Sequence, residues 1–207
     1  MPHRARAAHD ARHPVHVTIR RVPLAPSFRA QRISAAIMRE IAFAKSKGVR
    51  VIEHSIQENH LHLMIEGKSA EDLSAQMRKL FSRIATAVNR IAERHGSLFR
   101  DRHHRHALKS PREVRNAIVY ILFNARKHRT GHAAEDQAFF DAPDPLSSAP
   151  WFHDWAEDAR PPPDAILATR RGLTESPLAR ATTWLATVGW KRGGGPIRFD
   201  EAPRSAR

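Results

Sequence analysis

The chain has 207 residues, with 35 Lys and Arg against 21 Asp and Glu for a formal charge of +14, and 41% of it is hydrophobic. That is enough for one globular domain with appendages. No stretch approaches the roughly 20 uninterrupted apolar residues of a membrane span, and the start MPHRARAAHDARHP lacks the apolar core of a secretory signal, so a cytoplasmic location is expected. With no Cys there is no disulfide framework, thiolate zinc site or cysteine nucleophile, and any metal must be held by imidazole, carboxylate, amide or water.

The charge is unevenly placed. Residues 1–130 carry 26 Lys and Arg against 10 Asp and Glu, whereas residues 131–207 carry 9 against 11. Of the 35 cations 28 are Arg, whose planar fork suits phosphate, so a polyanion such as nucleic acid is the natural partner of the N-terminal part. A basic protein kept soluble by its charge is the plainer alternative.

In chain order, residues 1–13 read as a basic disordered arm. Residues 13–22 (HPVHVTIRRV) alternate as a half-buried strand that Pro23 and Pro26 end. Ser27 is placed to cap a helix running to about Lys47, with Gly48 just past its end. Val49–Gln57 and His60–Glu66 form a hairpin across Glu58-Asn59. Ser69 opens the longest helix, which puts Leu73, Met77, Leu80, Ile84 and Val88 on one stripe and Arg78, Lys79, Arg83 and Arg90 elsewhere as a basic rail, before Gly96 stops it. Leu98–Lys109 is a fourth strand, and Ser110-Pro111 begins a helix through about His128. This order predicts an α+β domain over residues 14–130, an antiparallel sheet with helices packed on it. Beyond it, residues 131–207 form a Pro-rich linker and extension in which only Ser176 to about Trp190 regains helical character, followed by KRGGG as a flexible end.

Two constellations could carry chemistry. His60-Leu61-His62 puts two imidazoles on one face of a strand, half of a metal site. Yet His104-Arg-His106 repeats the pattern, and exposed hydrogen-bonded histidines are the ordinary reading of either pair. On the last helix of the domain, Val114, Ala117, Ile118, Ile121, Leu122 and Ala125 make the buried stripe. Tyr120 and Asn124 lie off it, four apart, with Asn116 and Lys127. Tyr120 is the only tyrosine, and a boundary tyrosine with its hydroxyl in water is the ordinary reading of such a residue.

Taken together, Asn59-His-Leu-His-Leu-Met-Ile65, Gly96-Ser-Leu-Phe-Arg-Asp-Arg102 and Arg115–His128 (RNAIVYILFNARKH) resemble, in order and spacing, the signatures of the single-tyrosine HUH transposases, especially the REP-associated tyrosine transposase branch. The resemblance covers about residues 13–130 and implies a ferredoxin-like HUH arrangement, with His60, His62 and Asn124 as ligands of a divalent metal and Tyr120 as nucleophile. Many relatives carry an aromatic where this chain reads Arg102-His103-His104. The implied reaction cleaves and rejoins single-stranded or hairpin DNA through a 5′-phosphotyrosine link, leaving a free 3′-hydroxyl. Mg²⁺ or Mn²⁺ suits nitrogen and amide-oxygen ligation with no thiolate, and two imidazoles also suit Zn²⁺. A free phenol, with a pKa of about 10, is some three units or roughly 4 kcal/mol from being a ready nucleophile at neutral pH and needs a cation or base beside it.

Arg78, Arg83, Arg90, Arg100, Arg102, Arg105, Arg115 and Lys127 are the expected DNA contacts. The implied setting is the nucleoid of a bacterial-type cell, with no membrane partner. Related transposases include monomers and homodimers that exchange tyrosine helices, and both states remain open. Rival readings are an RNA-recognition domain, for which the required aromatic run is missing, a domesticated transposase that binds single-stranded nucleic acid without cutting it, and a metal-dependent hydrolase using His60, His62, His104 and His106. Trp184 and Trp190 would anchor the extension, either over the DNA site or as a satellite core.

Overall fold

Alternation of Val15, Val17 and Ile19 with His16, Thr18 and Arg20 makes β1 (Val15–Arg20) a strand with one apolar and one polar face, and it lies inside the sheet. A computed structural model describes residues 9–100, 102–127, 140–170 and 172–202. After β1 come α1 (Gln31–Ser46), the hairpin β2 (Val51–Ile56) and β3 (His60–Ile65), α2 (Ala70–Ile91), β4 (His104–Ala107) and α3 (Pro111–Lys127). The sheet order is β2-β3-β1-β4 and every pairing is antiparallel, so the fold is α+β as the element order predicts.

The register fixes what each face carries. Val17 stands opposite Leu63 and Arg105, and Val15 opposite Ile65 and Ala107. This apolar face is covered by α1 and α2 through Ile33, Ile37, Ile41, Leu73, Met77, Leu80 and Ile84, all nearly or fully buried. On the other face, Thr18 lies between His62 and His104, and His16 between Met64 and His106. A bulge at Val51/Glu53 turns Ile52 to this second face, where Ile52 and Met64 pack under α3. The sheet is therefore the middle of three layers.

Local signals position α2 and α3 well. Ser69 Oγ accepts from the Asp72 amide at the start of α2. Ser110 Oγ accepts from the Glu113 amide at 3.3 Å while the Glu113 carboxylate accepts from the Lys109 amide at 2.8 Å, a reciprocal cap. Elsewhere tertiary partners override local preference. Ser27 does not cap α1, because its Oγ accepts from the Arg29 amide, and the Phe28 amide donates to Glu58 O across the hairpin turn; the helix waits until Gln31. The predicted fourth strand is shorter than Leu98–Lys109. Phe99 makes only an isolated bridge to Arg21, and the ladder resumes at His104. Of the expected arm, residues 1–8 lie outside the described residues, as do 128–139 of the linker, whereas His9 Nε2 donates to Gly67 O at 2.7 Å and ties residues 9–13 to the domain.

The extension differs most from expectation. Ser176–Trp190 is not one helix: over the described residues from 142 on, the helices are α4 (Pro163–Thr169) and α5 (Trp184–Thr187), with 3₁₀ segments at Ala149–Trp151, Glu157–Ala159 and Gly189–Gly193. The intervening backbone is claimed by the sheet edge. Ala179 donates to Val51 O, Ser148 to His54 O and Ile56 to Leu146 O, so the extension covers the outer side of β2. The buried carboxylate of Glu66 accepts from Arg50 at 2.7 Å, from the Thr183 amide at 2.8 Å and from the amide and hydroxyl of Thr182. Burial alone would raise the pKa of this group, yet those donors outweigh it and hold the carboxyl below its usual range. KRGGG is not a loose end either, since Gly193 is pressed so closely on the Pro111 backbone that a Cβ there would meet Pro111 O at 2.5 Å. Trp190 (1% exposed), Ile197, Phe199 and Leu185 complete a second core on α3, whereas Trp184, half exposed, lies outside it. No helix among the described residues is long and apolar enough to cross a membrane.

His54 on β2 is fully buried with neither ring nitrogen hydrogen-bonded, and burial pushes its pKa down to about 4, against a small opposing effect of Asp144. The unfolded chain takes up this proton first, so the contribution of a neutral His54 is complete above pH ~6.5 and is lost as pH falls toward 4. Denaturant titrations should show wild type losing on the order of 3 kcal/mol more than His54→Leu over that interval.

Candidate active site

The second face of the sheet carries a row of imidazoles because β1, β3 and β4 present alternate residues in register. His16, Thr18, Arg20, His62, His104 and His106 line a cleft of about 1260 Å³, with Arg112, Arg115, Asn116 and Tyr120 from α3 on one wall and Gly193, Gly194 and Glu201 from the extension completing it. Sequence reasoning on metal and nucleophile passed over His16 and Thr18, although the alternation in β1 that marked the strand already put both on the face opposite Val15 and Val17. Nothing in the local sequence singled out Arg112 or Glu201.

His62 is the centre of this arrangement. It is 4% exposed, and its ring meets those of His60, His16 and Tyr120 at centroid distances of 4.5, 5.2 and 4.9 Å, edge-on to Tyr120 at 84°. Tyr120 is half-buried and also edge-on to His16 at 6.0 Å. The nucleophile and imidazole pair named by the resemblance are thus brought together across two elements.

Hydrogen bonding determines which nitrogens are offered. His60 Nδ1 lies 2.6 Å from Asn59 Oδ1, an atom that only accepts, so His60 carries its proton on Nδ1 and presents a lone pair at Nε2. Nδ1 of His62 faces Thr18 Oγ1 at 3.1 Å and His16 Nε2 at 3.2 Å. The two Nε2 atoms then face each other at 2.8 Å. They satisfy each other as a hydrogen bond when His62 is protonated on Nε2. When the proton sits on Nδ1 and is donated to Thr18, both Nε2 lone pairs converge, the state a shared cation needs. His16 itself is held neutral: burial, with His106 and His104 nearby, lowers its pKa to about 4.

Asn124 follows one turn after Tyr120. It is fully buried, and neither its amide nitrogen nor its amide oxygen has a hydrogen-bond partner. An orphaned buried amide costs about 1–3 kcal/mol and calls for an ion or other ligand. Two imidazoles with convergent Nε2 atoms plus this amide fit the donor set of a hard or borderline divalent ion such as Mg²⁺ or Mn²⁺. Among the described residues no three His, Cys, Asp or Glu side chains form a metal-binding group, and His104 and His106 do not join His60 and His62 in a four-histidine site.

The expected DNA contacts divide. Arg78, Arg83 and Arg90 are exposed but stand on α2, in the layer behind the apolar face, and line no part of the cleft; Arg83 pairs with Glu40 at 2.7 Å and lies over Phe43. The basic rail therefore stands on the side of the sheet away from the imidazole face. Arg105 shares the helix-covered face with Val17, whereas Arg100 and Arg102 are exposed ahead of β4. Arg115 lines the cleft, but its guanidinium is committed to Glu201 and to the carbonyls of Gly195 and Pro196, so it secures the extension. The side chain of Lys127 lies outside the described residues. Arg20 and Arg112, neither of them anticipated, are exposed on the cleft itself.

A solved structure of a REP-associated tyrosine transposase bound to a REP hairpin matches this fold with a TM-score of 0.52 at 16% identity, over 72% of this chain and 82% of that one. The chain thus has the fold of that transposase, four antiparallel strands with packed helices. No protein-family model matches the sequence, and no curated protein does.

Two outcomes check the metal assignment. Titration calorimetry with Mn²⁺ should register binding that His60→Ala or His62→Ala weakens at least a hundredfold and that Thr18→Val weakens about tenfold. Asn124→Leu should lower Mn²⁺ affinity while raising the melting temperature of the metal-free protein, because it removes an unpaired buried amide without opening a cavity.

Proposed function

We propose that this chain is a metal-dependent DNA strand transferase that cleaves and rejoins single-stranded or hairpin DNA through a 5′-phosphotyrosine intermediate at Tyr120. The observation that carries this reading is the approach of the Tyr120 ring to within 4.9 Å of the His62 ring, beside the 2.8 Å pair of Nε2 atoms, on the wall of a cationic cleft. The fold agrees with it, since the similar solved transposase holds a REP hairpin.

His60, His62 and Asn124 would hold the divalent ion. When bound, that ion would polarise the scissile phosphodiester and stabilise charge gathering on its oxygens. The chain's own residues do the rest. Asn59 fixes the His60 tautomer, and Thr18 Oγ1 can accept from His62 Nδ1 in the state that leaves its Nε2 lone pair for the ion. The sheet and α3 position the phenol against the imidazole row, so little orientational freedom remains to be lost in the reaction. Arg20 and Arg112 supply fixed positive charge along the cleft for the phosphates flanking the break. In the step itself the Tyr120 oxygen loses its proton and bonds to phosphorus. The bond to the 3′ oxygen breaks, and that oxygen leaves as a hydroxyl on taking a proton. One phosphodiester is exchanged for another, so the bond energy is kept for rejoining.

Incubation of the protein with 5′-labelled and 3′-labelled hairpin oligonucleotides and Mn²⁺, followed by denaturing electrophoresis, tests this reading. The expected result is a labelled covalent protein–DNA band carrying only the fragment 3′ of the break, absent in Tyr120→Phe and in EDTA. Binding of the same hairpins with no band across a broad hairpin library would support the non-catalytic nucleic-acid binder instead.

A further inference from the structure

Beyond the cleft, one exposed side chain stands out against its surroundings. Trp184, 50% exposed, is the most exposed Trp, Phe or Tyr side chain among the described residues. It is nevertheless rigidly seated. The Thr182 and Thr183 amides are held by the Glu66 carboxylate, Thr183 Oγ1 caps the turn by accepting from Ala186, and the indole lies on the bare backbone of Gly189, where a Cβ would come within 2.7 Å of its six-membered ring. A half-exposed indole fixed from below is a platform, and what fits it is set by the charge around it.

That charge is positive. Trp184 lines a groove of about 560 Å³ with Arg12, His13, Lys109 and Pro111, and the Arg192 guanidinium lies 5.3 Å from the indole ring. Asp10 is engaged by Arg12 through two parallel hydrogen bonds, Glu113 and Glu66 at the edge of the groove accept from the Lys109, Thr182 and Thr183 amides, and among the described residues the side chains of Lys109 and, beside the indole, Arg192 make no ion pair. The groove also continues the candidate active site. Pro111 at the start of α3 borders it, Arg112 borders the cleft, and Gly193 is packed on Pro111 between them. From Pro111 to Tyr120 is nine residues, about 14 Å along the helix, or about four nucleotides at a duplex rise of ~3.4 Å and fewer for a stretched strand.

We infer that Trp184 is a stacking platform for an unpaired base of the DNA strand that leaves the cleft, with Lys109 and Arg192 meeting the flanking phosphates. This rests on the reading of the chain as a DNA strand transferase and adds to it the contact that would hold single-stranded DNA beside the hairpin. Aromatic stacking is sequence-tolerant because every base has a π face, so the site retains a flank and does not read it. A second copy of the chain fits less well. Trp184 and Val188 are the exposed apolar side chains of this patch, far short of the ~800 Å² per partner of a stable interface. Residues 1–8, with His3, Arg4 and Arg6 and no acid, share the sign of the groove.

The test uses fluorescence anisotropy of the full chain in EDTA, where DNA stays intact, with one hairpin carrying six unpaired nucleotides on its 5′ side, one carrying them on its 3′ side, and one with none. Trp184→Ala is expected to weaken binding about tenfold for at least one flanked hairpin and to leave the unflanked one unchanged, while Trp184→Phe keeps most of the affinity. Replacing the flank nucleotides by abasic sites should bring wild type down to the Trp184→Ala level and leave that variant unaffected. Unchanged affinity of Trp184→Ala for both flanked hairpins overturns the inference, as does an equal loss on the unflanked one. A wild-type dimer that Trp184→Ala dissolves in sedimentation would assign the patch to self-association and overturn it as well. Because these measurements need neither metal nor covalent attachment, failure to form a Tyr120 adduct leaves them readable, and a stacking failure leaves the adduct assay untouched.

Discussion

The structure depends on a period of two held in register across three strands. β1 is paired on both sides, to β3 and to β4, so every side chain on it is assigned to one face or the other with no freedom to slip. Val15, Val17 and Ile19 bury against α1 and α2, and this burial forces His16, Thr18 and Arg20 to the opposite face beside His60, His62, His104 and His106. A one-residue slip would send the imidazoles into the apolar layer and the aliphatics into the cleft. The same burial that stabilises the sheet therefore places the chemistry.

The extension is joined to this sheet by polar contacts at one end and apolar packing at the other. Glu66, at the end of β3, gathers Arg50, Thr182 and Thr183 around one buried carboxylate, and Arg29 holds Asp144 in an ion pair at 2.9 Å near the other end of β2. Between them, backbone bonds cover the edge of β2. Trp190, Ile197 and Phe199 then cover the side of α3 that the sheet does not reach. Arg115 links the two assemblies, because its bonds to Glu201, Gly195 and Pro196 draw the end of the described chain along the cleft. The extension is in this way both part of the core and a wall of the site.

Stability and chemistry pull against each other at the imidazole row. Asn124 keeps a fully buried amide with no partner, and His16 is a histidine that burial keeps neutral. An apolar packing would be cheaper in free energy at either place. Such concentrations of unsatisfied or desolvated polar groups mark a candidate functional site, and here they fall within two turns of Tyr120 and on the strands beneath it.

Much of this was legible in the sequence. The alternation in β1 and β3, the capping serines of α2 and α3, the hairpin at Glu58-Asn59 and the pairing of His60 and His62 on one strand face are consequences of spacing alone, because backbone geometry fixes a period of 2 or 3.6 whatever surrounds it. What spacing cannot express is which layer an element joins and which partner a polar group finds. The basic face of α2 lies behind the sheet because its apolar stripe packs on the Val17 side. Arg115 serves Glu201 because the chain returns there 86 positions later, and the segment before Trp184 is extended because Val51 and Glu66 accept its amides. Sequence by itself determined the order of strands and helices over residues 14–130 and the alternation of faces along β1 and β3. Only the tertiary structure decided that Tyr120 and His62 meet and that the extension walls their cleft, because contacts between distant segments are chosen by burial and hydrogen-bond satisfaction of the whole fold.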